Sequence, residues 1–171
     1  DQENPGAKWP KTSLAARSTA QPLRPAEASQ LIRLCEEHTA ALRAAPPLLV
    51  DHLLLVAYQQ RSLERTQGAL RVGFSRPCVP SESYVDPHVA AIVAPSAASR
   101  QVYLERTCAS GHDIAHYRED HPGWSMVVHV GACYDAYIEP LREAIARALP
   151  GRYAWFHDSS LHVTVRGLHE E

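Results

Sequence analysis

Leu161-His162-Val163-Thr164-Val165-Arg166 alternates apolar and polar side chains without a break. A strand sends successive side chains to opposite faces, so this period-2 pattern predicts a half-buried strand. Leu161, Val163 and Val165 are then expected to face a core. His162, Thr164 and Arg166 are expected to face the other way together, about 6–7 Å apart between neighbours. An imidazole, a hydroxyl and a guanidinium in one row suit a phosphate. The hydroxyl and guanidinium hydrogen-bond phosphoryl oxygens, and the imidazole moves a proton. The tripeptide alone is weak evidence, because ten histidines give about one H-x-[Ser/Thr] by chance. A second instance, His157-x-Ser159, falls at the turn signal Asp158-Ser159-Ser160, whereas His162 lies inside the alternating run.

Working outward, Trp124 to Val130 is a continuous apolar run and predicts a buried strand. His129 alternates with Met126, Val128 and Val130, so it faces away from them and into the same cleft as His162 if the two strands are neighbours. Tyr137 to Leu149 predicts an amphipathic helix, with Ile138, Leu141, Ile145 and Leu149 on one face and Pro150-Gly151 as its stop. Arg152 to His157 and Leu161 to Leu168 complete a β-α-β-β unit over residues 124–171.

The segment Ser125-Met-Val-Val-His-Val-Gly, the helix through Leu141, and Phe156-His-Asp-Ser-Ser-Leu-His-Val-Thr-Val-Arg-Gly-Leu together resemble the first half of a two-histidine phosphoesterase. That superfamily includes RNA ligase-like proteins and cyclic nucleotide phosphodiesterases. The resemblance covers residues 124–168, and its sharp element is Leu161 to Val165. It implies a metal-free and cofactor-free hydrolysis of a 2′,3′-cyclic phosphate or RNA-terminal phosphate ester. Two histidines serve as acid and base, and Ser/Thr hydroxyls hold the phosphoryl oxygens. His162 and Thr164 match the catalytic motif, and His129 and Arg166 are candidates for binding substrate. The implied partner is therefore a phosphate ester, nucleotide or RNA. A second H-x-[Ser/Thr] is missing, and the chain ends seven residues after Thr164 and begins at Asp1 rather than Met. Three explanations are open, a truncated chain whose missing C-terminal half holds the partner motif, a homodimer that supplies it, or a degenerate site, and truncation is the expectation.

Upstream, residues 1–25 hold four prolines and are expected to form an extended or flexible arm. Residues 26–123 are expected to be mainly helical with loops. A helix is predicted from Ala26 to Ala45, with Leu31, Leu34/Cys35, His38 and Leu42 on one stripe. Pro46-Pro47 ends it and opens a second helix to Gly68 through Leu49, Leu53, Val56 and Leu63, making a helical hairpin. Arg71 to Asp86 reads as loop, His88 to Ala94 as a strand, Ser96 to Cys108 as a helix, and Gly111 to Gly123 as a loop. The predicted class is α+β, with the hairpin packed on or tethered to the β-α-β-β unit.

The chain has 171 residues, 45% of them apolar, and a formal charge of −2. That is enough for one core and excludes a generally basic nucleic-acid binder, leaving room for a local basic patch. No run approaches the ~20 apolar residues of a membrane span. Cys35, Cys78, Cys108 and Cys133 form no C-x-x-C pair, so reduced thiols in a cytoplasmic protein are expected rather than a zinc finger or a disulfide scaffold. His112-Asp113-Ile114-Ala115-His116 resembles the H-E-x-x-H of zinc peptidases. A zinc hydrolase through His112 and His116 is one rival. The other is a non-catalytic protein-interaction module built on the N-terminal helices.

Overall fold

The structure, a computed structural model, describes residues 11–46, 48–75, 112–130 and 134–168. In chain order the elements are β1 (Ala15–Arg17), α1 (Pro25–Arg43), β2 (His52–Tyr58), β3 (Thr66–Gly73), α2 (Ile114–Arg118), β4 (Gly123–His129), α3 (Asp135–Ala148), β5 (Tyr153–Trp155) and β6 (His162–Leu168). A 3₁₀ turn at Asp158–Ser160 leads into β6. The fold is α+β. A four-stranded antiparallel sheet runs β3-β2-β4-β6, and β1 pairs with β5 in a small second sheet.

α1 starts where Pro25 fits the first turn and Glu27 accepts the Arg24 backbone N–H at 2.7 Å. Ala28, Leu31 and Leu34 bury one face against Ile145 and Leu149 at the end of α3, with Leu23 closing the cluster. The stripe stops short of expectation, for Leu42 is 49% exposed. Gly151, at φ +71°, follows α3 in the left-handed region that glycine adopts without a Cβ clash.

The expected helical hairpin is not there. Residues 52–73 form a β-hairpin instead, so the stretch 26–123 is not mainly helical where it is described. β2 lies between β3 and β4, hydrogen-bonded on both edges. An interior strand covered on both faces needs a continuous apolar run, and Leu53-Leu54-Leu55-Val56 supplies one. Such a run is indistinguishable by period from a buried helix. β3 is exposed along its whole length and contains Gly68 and Gly73, so it carries little strand signal of its own. The expected loop at Arg71 therefore begins only after Gly73. The expected loop at 111–123 contains α2, capped by the Asp113 carboxylate accepting the His116 N–H at 3.2 Å. The strand expected at 88–94 and the helix at 96–108 lie outside the described residues.

β6 contains a correction that bears on the site. Thr164 pairs with Val127 but Arg166 pairs with Met126, leaving Val165 as an extra, bulged residue that is 52% exposed. Val127 and Met126 point to opposite faces of β4, so Thr164 and Arg166 do too. The expected row of His162, Thr164 and Arg166 is broken at its third member. One face of the sheet carries Leu54, Val56, Tyr58, Ser125, Val127, His129, His162 and Thr164. On the other, Val163 packs on the Ala16, Val130, Ile138, Phe156 and Leu161 core under α3.

Candidate functional site

His162 begins β6 directly after the buried Leu161, whose carbonyl accepts the Val130 N–H at 3.0 Å. The imidazole Nδ1 donates to the Ser160 carbonyl at 2.7 Å. That fixes the tautomer and leaves Nε2 as a proton acceptor. Burial holds the ring below its ordinary pKa of 6.5. The Ser160 carbonyl opposes this shift, and His129, its register partner on β4, adds to it. A neutral imidazole with a free Nε2 is the form a general base needs.

Thr164 follows on the same face, across from Val127. The buried Ser125 sits two pairs further along β4, opposite Gly167, and Tyr58 stands opposite Gly123. A Cβ at Gly123 would meet the Tyr58 hydroxyl at 2.6 Å, so glycine is what allows the phenol to lie there.

The other side of the pocket comes from the β2–β3 turn and the segment between α2 and β4. Gln60 Nε2 donates to the Arg118 carbonyl at 2.6 Å, Ser62 N–H to the Tyr117 carbonyl at 3.1 Å, and His121 N–H to the Gln59 carbonyl at 2.7 Å. Glu64, nearly buried, takes a two-pronged ion pair from Arg118 at 2.6 and 2.9 Å and the His157 N–H at 3.1 Å. Leu63 adopts φ +58°, a conformation unusual for a branched side chain, and is buried at the same turn. These bonds set Arg61 beside His121, with one terminal guanidinium nitrogen 3.2 Å from both ring nitrogens. The other terminal nitrogen contacts Glu119 at 2.7 Å and His116 Nδ1 at 3.3 Å.

The result is a cavity of about 210 Å³ lined by Tyr58, Arg61, Leu63, His121, Ser125, His162, Thr164 and Gly167. It brings together two imidazoles, two aliphatic hydroxyls, a phenol and a guanidinium. Of the residues expected from sequence, His162 and Thr164 line it. Arg166 is turned to the opposite face, and His129 stands in register with His162 but outside the cavity wall. Arg61, His121, Tyr58 and Ser125 were not among the residues expected at the phosphate, because three of them depend on the β2–β3 turn or on the segment tied to it. The zinc candidates go elsewhere. His112 and His116 stack ring on ring at 3.7 Å, and His116 leans on a cation, Arg61. Among the described residues no three or more His, Cys, Asp or Glu are grouped to hold a metal. His157 is exposed just before the 3₁₀ turn and does not line the cavity. Among the described residues no helix is long and apolar enough to cross a membrane. In comparison with known proteins, no family model, curated protein or solved structure matches this chain.

Proposed function

We propose that this chain binds and hydrolyses a phosphate ester in the manner of a two-histidine phosphoesterase, with His162 as general base and Thr164 holding the phosphoryl group. One observation carries this: His162 and Thr164 line a single cavity with Ser125, Arg61 and His121. Nε2 of His162 takes the proton of the attacking water as its oxygen bonds to phosphorus; the ester P–O bond breaks, the leaving ribose oxygen takes up a proton from solvent, and the Thr164 and Ser125 hydroxyls donate to non-bridging oxygens. The cavity is smaller than the 300–1,000 Å³ of a drug-sized ligand site, which suits a phosphoryl group and the sugar edge next to it. The substrate class is a cyclic phosphate or RNA-terminal phosphate ester. The setting is the cytoplasm, in keeping with the free thiol of Cys35.

The test is a thermal melt of the 171-residue chain with adenosine 2′,3′-cyclic phosphate, beside an assay of its hydrolysis. At a hundredfold excess over Kd, binding to the native state contributes about 2.7 kcal/mol. That raises Tm by roughly 5–11 °C for a chain of this size. His162→Ala is expected to lower turnover by about 10²–10⁴-fold. The rate of the parent chain is expected to fall as pH drops through the lowered His162 pKa, because only the neutral ring is a base. No Tm rise and no hydrolysis, or turnover unchanged in His162→Ala, would overturn the proposal.

A further inference from the structure

The cavity is longer than one phosphate. His162 pairs with His129, Thr164 with Val127, and Gly167 with Ser125. At the rise of a strand the Gly167–Ser125 row lies about 7 Å from Thr164 and about 14 Å from the His162 row. Arg61 and His121 line the cavity from segments beyond that row, past the Gly123 end of β4. One end therefore holds an imidazole and a hydroxyl, and the other a guanidinium against an imidazole. Along the backbone the two ends are set further apart than one phosphoryl group is wide.

We infer that Arg61 and His121 form a second anion subsite, which takes a phosphate one nucleoside away from the reacting one. For a 2′,3′-cyclic phosphate, that group is the 5′-phosphate of the same nucleotide, whether terminal or joined to the next residue of a chain. Arg61 has donors to spare for it. A guanidinium carries five N–H groups. Glu119 and His116 engage one terminal nitrogen, while the other faces His121. The Glu119 contact at 2.7 Å fixes the fork through one terminal nitrogen and leaves the N–H groups of the other on the His121 side. This inference rests on the phosphoesterase reading of His162 and Thr164, and it adds that the ligand carries two phosphates.

The experiment compares dissociation constants, obtained by titration, for three probes. These are adenosine 2′,3′-cyclic phosphate, the same nucleotide bearing a 5′-phosphate, and a dinucleotide ending in a 2′,3′-cyclic phosphate. The 171-residue parent chain is expected to bind both two-phosphate probes about 10–100-fold more tightly than the first, the range of charge-assisted hydrogen bonds. Arg61→Gln is expected to erase that preference, weakening both two-phosphate probes about 10–100-fold more than it weakens the first. His121→Gln keeps the backbone bond to Gln59, guards against a folding defect in Arg61→Gln, and is expected to reduce the preference in part. A dinucleotide bound no better than the 5′-phosphorylated mononucleotide identifies the second phosphate alone as what the subsite recognises. Tighter dinucleotide binding that survives Arg61→Gln would overturn the assignment of Arg61. Equal affinity of the parent for all three probes, or an equal loss for all three in Arg61→Gln, would overturn the subsite and leave the His162 proposal standing. Failure to bind any probe would overturn that proposal as well.

Discussion

Glu64 and Arg118 join the two segments that bring Arg61 and His121 to the cavity. The Glu64 side chain is 8% exposed and the Arg118 side chain 40%. Burial alone would raise the Glu64 pKa, but the Arg118 pair and the His157 N–H outweigh it and hold the carboxyl below its ordinary 4.5. A carboxylate depressed in the folded state contributes stability above its unfolded pKa and loses it as pH falls through the folded value. Removing one partner of a fully buried pair costs about 3–5 kcal/mol, and the solvent around Arg118 reduces this to about 1–2 kcal/mol. Glu64→Gln is therefore expected to melt roughly 2–8 °C lower at pH 7. The gap between variant and parent should narrow as pH falls through the lowered Glu64 pKa, because protonation removes the parent's charge as well. Melting curves on either side of that pKa check this, and a gap undiminished below it would show that the charge is not what holds the turn. At this scale His162 and Thr164 were legible, because alternation within one strand is a local property. Arg61 and His121 were not. Sixty positions separate them, and bonds between the two segments, Gln60–Arg118, Ser62–Tyr117, His121–Gln59 and Glu64–Arg118, bring them together.

Among the elements, α3 and β4 follow their sequence patterns closely, whereas β6 keeps its expected span but not its alternation. The β2–β3 hairpin does not. β2 is apolar on both faces, and β3 is an exposed edge whose strand state is imposed by pairing rather than by propensity. The bulge in β6 was equally invisible, since the alternation of Leu161 to Arg166 continues through Val165 in sequence while the pairing slips by one. The slip has a measurable consequence. Arg166→Gln, on the face away from the cavity, is expected to leave the dissociation constant for adenosine 2′,3′-cyclic phosphate within about twofold, the range of surface changes remote from a site. A loss of tenfold or more would place the guanidinium at the phosphate and contradict the register.

At the scale of the whole molecule, the β-α-β-β unit read from residues 124–171 is not closed upon itself. β4 is hydrogen-bonded to β2 along Leu54–Tyr58 on one edge and to β6 on the other. β5 pairs with β1 from the N-terminal arm, which is therefore an ordered strand at Ala15–Arg17. The apolar end of α3, at Ile145 and Leu149, is covered by Leu23, Leu31 and Leu34. A chain cut before Trp124 would expose the β4 edge, strand β5 and that helix face at once. It would retain a two-stranded β4–β6 ribbon with α3 packed on one face through Ile138, but without Ala16 in that core or Leu23, Leu31 and Leu34 on the far end of the helix, too small a core for a stable fold. Residues 124–171 alone are thus expected to show neither a cooperative thermal transition nor dispersed amide resonances, whereas the 171-residue chain shows both. The same dependence explains why the cavity needs the upstream chain. His162, Thr164 and Ser125 come from the C-terminal unit, but Tyr58, Arg61 and Leu63 come from β2 and its turn. A cooperative melt of the isolated fragment would mean that its own core suffices, and that β2 and β3 are an addition to a self-sufficient domain rather than half of its sheet.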